Sequence, residues 1–199
     1  VKAAPEKKED EMKRARVVWL AAALALLLAA THLAGQDQER KTRVFFGPCL
    51  GVGSVILDGD TFNSNMQRLY PSDRWYYPVY TQIGLEAGQV VPIGSSRSSF
   101  AFHEIFLLGG LDQGMPMPTL NVLFGYYSPF GLEAGLGPHF AVMAPTGAVK
   151  LDASVAYFLA YFLRFDGLTM PIRLVFVPLP SYSNPQVSLL VGFGFEGLE

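Results

Sequence analysis

Charge is scarce in this chain. Only 16% of its 199 residues are Asp, Glu, Lys or Arg, against about 25% in an average soluble domain. Half of the residues are hydrophobic and the mean hydropathy is positive, at +0.27. A disordered or strongly solvated chain is therefore excluded, and a one-domain water-soluble enzyme fits awkwardly. Long hydrophobic runs are missing too. A membrane helix bundle needs several apolar runs of about 20 residues, and only one segment, 17–35, qualifies. Cysteine is nearly absent: Cys49 alone permits no intramolecular disulfide, and it does not lie at the end of the apolar run, where a lipoprotein would carry it. There is no phosphate-binding glycine loop, CxxC pair or HExxH helix, so neither a cofactor nor a metal is expected. The GxG steps at 51–53, 135–137 and 192–194 suit strand packing better than nucleotide binding.

What the front of the chain does contain is a secretory pattern. Lys13, Arg14 and Arg16 precede a Leu/Ala-rich core, small residues follow at Ala34 and Gly35, and a polar stretch comes next. The expected organisation is a signal peptide over 12–35, cleaved near Ala34 or Gly35, and a polar linker over 36–42. Residues 1–11 read as a charged leader or an over-extended start, with Met12 beginning the natural signal; a retained N-terminal anchor is the alternative. A mature chain from Gln36 carries 9 Lys and Arg against 13 Asp and Glu, which argues against a nucleic-acid partner.

From residue 43 onward the dominant period is two, the period of a strand. Phe130, Leu132, Ala134, Leu136, Phe140 and Val142 alternate with Gly131, Glu133, Gly135, Gly137, His139 and Ala141. Val44, Phe46, Leu50 and Val52 oppose Gly47, Cys49, Gly51 and Gly53. The same sorting recurs over 149–165 and 187–196. Eight strands are expected, at 43–57, 76–91, 100–110, 119–128, 130–143, 149–165, 168–178 and 186–197. These runs exceed the roughly 5 to 6 residues of an ordinary strand and suit a tilted bilayer crossing of about 9 to 11. Their connections alternate between long or Pro-rich loops and tight turns, with PIGSSRSS longer than a periplasmic turn should be. The expected fold is all-β: a closed, antiparallel, up-and-down transmembrane β-barrel over 43–199. In FAFHEIFLL, His103 and Glu104 fall on opposite faces, so a bulge or altered register is expected there.

A signal segment, long alternating strands, GLEAG at 84–88 recurring at 131–135, and the aromatic final strand VSLLVGFGFEGLE together resemble the small bacterial outer-membrane β-barrel proteins. The resemblance covers 43–199 in pattern. It implies an outer-membrane location, lipid contact, and biogenesis through the barrel-assembly machinery, with Gly192, Phe193 and Phe195 at fitting spacing for its C-terminal signal. Glu196, Gly197, Leu198 and Glu199 stand where that family usually ends on an aromatic residue. Tyr76, Tyr77, Tyr80, Tyr126, Tyr127 and Tyr182 fall near strand ends, where an interfacial belt is expected.

An eight-stranded barrel is just filled by its side chains. Its expected lumen network comprises Gln82, Glu86, Asn121, Glu133, His139, Lys150, Asp152, Arg164 and Arg173, with acids and bases pairing because lone buried charges are too costly. A proton or small-ion path through these groups is a weaker reading. The first outer loop, with Arg68, Tyr70, Arg74 and Trp75, is the candidate contact surface. Asp58, Asp60 and Asn63 in DGDTFN read as a solvated turn rather than a cation loop, lacking the glycine and distal glutamate of an EF-hand. The lipid A deacylases carry His and Ser two residues apart on a strand; here His139 is followed by Phe140 and Ala141, so the carry-over fails at the nucleophile. A His139, Asp152, Ser154 triad is a minor enzymatic alternative, and no catalytic residue is assigned.

The functional expectation is a structural or surface-interaction barrel. Alternatives are a barrel binding or passing small hydrophobic molecules at Pro138 or Pro171, where a wall can open or bulge, and a soluble periplasmic lipocalin-like barrel with its apolar face inward.

Overall fold

The computed structural model describes residues 42–94, 98–143, 150–165, 167–178 and 184–196, so the expected signal and linker lie outside the described residues. Eight antiparallel strands form one closed sheet: β1 (Arg43–Val55), β2 (Val79–Pro92), β3 (Ser99–Gly109), β4 (Met117–Tyr127), β5 (Leu132–Met143), β6 (Lys150–Phe165), β7 (Leu168–Val177) and β8 (Gln186–Gly192, resumed at Gly194–Glu196). Each strand pairs with its sequence neighbours, and β8 closes on β1. The break in β8 leaves the register intact on both sides, as Cys49↔Gly192 and Phe46↔Phe195 show toward β1. Phe193 faces Pro48, which has no N–H to give, yet donates its own N–H to the Pro48 carbonyl at 2.9 Å.

The register defines the barrel. Crossing the wall from Val44 through Gln89, Phe102, Phe124, Leu136, Tyr157, Phe176 and Val187 returns to β1 at Ser54, ten residues beyond the start. With about 3.3 Å per residue and 4.8 Å between strands, that stagger over eight strands requires a tilt of roughly 40°. At this tilt an apolar band about 25 Å tall takes about ten residues to cross, and β1 to β7 are 10 to 16 residues long. Tight coiling of the sheet demands glycine at particular points. A Cβ at Gly84 would lie 1.8 Å from the Phe106 carbonyl oxygen, and one at Gly137 would lie 1.9 Å from that of Val122.

The two faces are inverted relative to a soluble barrel. Outward positions such as Phe46, Ile83, Phe106, Phe124, Leu136, Leu159, Leu174 and Leu189 are exposed, while Glu86, His103, Glu133, Asp152 and Arg173 are buried inside. This is the polarity of a transmembrane β-barrel, and it overturns the lipocalin-like alternative, whose apolar face would point inward. Among the described strand positions that face outward, Glu104 is the single charged residue; it sits midway along β3, opposite Ala87 and Val122.

Several expectations need correction. β3 has no bulge: its register runs unbroken from Ser99 to Gly109 against both neighbours, so His103 points inward and Glu104 outward. Nor do Pro138 and Pro171 bulge the wall, although the β4–β5 ladder is interrupted at Pro138 and Gly137. Pairing is the same before and after Pro138 toward β4, with Asn121↔His139 and Phe124↔Leu136, and Pro171 stays paired with Phe162. The first outer loop, expected as a long connection, contains a helix, α1 (Gly59–Leu69). DGDTFN is the start of that helix rather than a solvated turn: Asp58 is its N-cap and accepts from the Thr61 N–H at 2.9 Å, a bond that holds its carboxyl below the usual carboxylate range. Of the expected interfacial tyrosines, Tyr77 and Tyr126 are exposed, but Tyr76, Tyr80 and Tyr127 are buried; Tyr182 and residues 95–97 of PIGSSRSS lie outside the described residues.

Replacing Glu104 by Leu is expected to stabilise the barrel in a bilayer by up to about 2 kcal/mol, since a lone carboxylate at mid-depth opposes insertion. Urea unfolding in phosphatidylcholine vesicles measures this, and a destabilised variant would show that Glu104 does not face lipid.

Candidate functional site: the lumen network and the outer rim

The centre of the lumen is built from the repeated GLEAG segments. Alternation in β2 and β5 turns Glu86 and Glu133 inward, and between them stands His103 of β3. Its Nε2 lies 3.0 Å from both Glu133 carboxylate oxygens, and its Nδ1 lies 3.2 Å from Glu86 Oε1. Arg173 of β7 donates from Nη2 to the same Glu86 oxygen at 2.8 Å and also lies 3.4 Å from His103 Nδ1. None of the four side chains is more than 2% exposed. Nε2 faces the Glu133 carboxylate, while Nδ1 lies within reach of both a Glu86 oxygen and Arg173 Nη2, so the role of Nδ1 is set by whether the ring carries one proton or two. With the ring doubly protonated, two carboxylates, one guanidinium and one imidazolium would sum to zero, the condition under which charges can be kept out of water.

Aromatic rings surround this cluster. Phe45, Phe158 and Phe162 pack around His103 at centroid distances of 5.9 to 6.1 Å, and the Arg173 guanidinium lies 5.6 Å from the centre of the Phe158 ring. Gly192 leaves room for Glu86, because a Cβ there would come within 2.6 Å of its Oε2. Toward the tight-turn end of the barrel, Arg164 donates to the Tyr127 hydroxyl at 2.7 Å and stacks over its ring at 5.1 Å.

The other expected lumen residues lie nearer the loop end. Asn121 Oδ1 and His139 Nδ1 meet at 2.7 Å, and Gln82 and Asp152 are buried at 7% and 1% exposure. The Lys150 side chain lies outside the described residues. His139 Nε2 and Ser154 Oγ each lack a hydrogen-bond partner, so the base-to-nucleophile contact of the minor triad reading is not made. Cys49 is buried in the lumen wall. Among the described residues, no three His, Cys, Asp or Glu side chains converge on a point where a metal could bind.

Above these groups, α1 sets Phe62 over the mouth against Tyr76, Tyr80, Met115 and Met117. The loop behind it is tied down: Asn63 Oδ1 accepts from the Tyr76 N–H at 2.9 Å, and the Tyr76 hydroxyl donates to the Tyr70 carbonyl at 2.8 Å. Of the expected contact residues, Arg68 is exposed in the last turn of α1, whereas Tyr70 packs partly against the apolar plug. Arg74 and Trp75 line an open cleft of about 700 Å³ with Tyr77, Pro78, Val79, Asp112 and Gln113. Its floor is fixed by Gln113, which accepts from the Tyr77 N–H and donates to the Val79 carbonyl, each at 2.7 Å.

His103 was absent from the expected network because FAFHEIFLL is apolar on both faces around it, which hides the two-residue rhythm. The usable signal was the outward row Phe100, Phe102, Phe106 and Leu108, which leaves His103 on the other face.

Arg173→Met would leave two carboxylates against one imidazolium, and is expected to cost about 3–5 kcal/mol. Adding Glu86→Gln restores neutrality, so the double variant is expected to recover more than half of that loss in urea unfolding; a strictly additive loss would refute charge balance as the organising constraint.

No family model and no curated protein matches the chain. Among solved structures it is similar to Ail, the attachment invasion locus protein of Yersinia pestis, at 12% identity, covering 80% of this chain and 100% of that one with a TM-score of 0.31. At that identity and score the likeness carries no statement about activity.

Proposed function

We propose that this protein is a small outer-membrane β-barrel with a structural or surface-interaction role, anchored by its wall and making contacts through its outer loops. The observation that supports this reading is the combination of an apolar exterior with a lumen filled by buried, paired side chains and an apolar cluster at its loop end. A wall of this kind belongs in lipid, and a lumen so filled offers no wide path for solutes. The working surface is then the rim. Arg68, Arg74 and Trp75 supply exposed cationic and aromatic groups, and Tyr70 holds the loop that presents them. The wall contacts outer-membrane lipid, the barrel-assembly machinery inserts it, and the 12–35 segment directs export before removal.

Cell fractionation should recover the chain with outer membranes, and the folded form should migrate faster on gels before heating than after. Purified barrel in planar bilayers should give no steady conductance. Recovery in the soluble periplasmic fraction, or a stable open pore, would overturn this reading. Trp75→Ala with Arg74→Ala should leave folding and heat-modifiable migration unchanged, because both side chains line the open cleft rather than the plug; loss of the compact band would show that they hold the fold and remove them from the proposed contact surface.

A further inference from the structure

The rim cleft is lined by two aromatic side chains, Trp75 and Tyr77, which flank Tyr76, a residue buried in the plug. Both stand open to water, at 50% and 59% exposure. The segment that presents them is held in place, because the Gln113 side chain bonds the Tyr77 N–H and the Val79 carbonyl. Asp112 fixes the other wall. Its Oδ1 accepts from the Thr81 N–H at 3.2 Å and from the Thr81 hydroxyl at 2.9 Å, which leaves Oδ2 without a partner among the described residues. The Arg74 backbone is bonded to Gln67 and Ser72, but its guanidinium has no partner among the described residues. At about 700 Å³ the cleft has the size of a ligand pocket.

The lining thus offers two apolar ring faces, one spare anionic acceptor and one spare cationic donor, and the two charges cancel. An ion of either sign would meet a like charge there. An acyl chain would strip water from Asp112 and Arg74 without replacing its hydrogen bonds. A peptide strand finds no sheet edge to extend, because β8 closes on β1. A pyranose ring supplies the matching groups: a flat C–H face that covers an aromatic ring, and adjacent hydroxyls that donate to a carboxylate and accept from a guanidinium. We infer that the cleft binds a neutral hexose unit of a surface glycan, stacked on the Trp75 and Tyr77 side and held by Asp112 and Arg74; this rests on the reading of the rim as the contact surface.

The chain has two tryptophans, Trp19 and Trp75, so the full chain with Trp19→Phe carries its only indole in the cleft. It is refolded in lauryldimethylamine oxide micelles, which have no sugar headgroup to compete, and titrated separately with the methyl glycosides of glucose, galactose and mannose. At least one should give a saturable blue shift of Trp75 emission as the ring displaces water from the indole. Sorbitol, which has the hydroxyls without the ring face, should give none. Asp112→Asn keeps an acceptor for Thr81 and exchanges the spare oxygen for an amide, so half-saturation should rise about tenfold while the compact gel band is retained. No saturable response to any of the three glycosides, an equal response to sorbitol, or a response untouched by Asp112→Asn would overturn the proposal. A response to a tryptic digest of casein alone would also overturn it and assign the cleft to a polypeptide. All these readouts are taken on a barrel that shows its compact gel band, so their failure is distinct from a failure of the fractionation and conductance results.

Discussion

Charge neutralisation inside a narrow barrel is the constraint on which this structure rests. Closing eight strands gives each strand a hydrogen-bonded neighbour on both sides, which is how backbone groups are satisfied in a bilayer. It also forces the inward side chains into a space too small to hydrate isolated ions. Glu86, Glu133, His103 and Arg173 answer that constraint together, each buried, with Arg173 paired to Glu86 and His103 set between the two carboxylates. The same closure explains the glycines at 84 and 137, where neighbouring backbone comes too close for any side chain.

The sequence revealed the architecture because membrane and lumen impose opposite demands on alternate residues. All eight strand positions were legible, most ends falling within two residues of those observed and the start of β2 within three. The lumen face was legible wherever glycine or charge marked it, as at Glu86, Glu133 and Arg173. It failed at His103, where apolar residues on both faces removed the contrast, and Glu104 drew attention to a bulge that does not exist. A lipid-facing carboxylate breaks the rule by which faces are recognised, so reading by polarity misplaces its neighbours.

The loops were harder for a different reason. Helix α1 depends on Asp58 as its cap and on Phe62 docking onto Tyr76, Tyr80, Met115 and Met117, and only the cap is local in sequence. Tyrosines placed by position at an interfacial belt are partly used to plug the mouth instead. The plug and the rim cleft share this segment, so the elements that close the barrel also present Arg74 and Trp75 to the outside.

A neutral cluster in the lumen requires His103 to donate from both ring nitrogens. Its most direct test is nitrogen-15 NMR of the labelled histidine ring in the folded barrel at neutral pH, with His103 assigned from the His103→Gln variant. Protons are expected on both Nδ1 and Nε2, each hydrogen-bonded to a carboxylate. A single protonated nitrogen beside a bare one would contradict it.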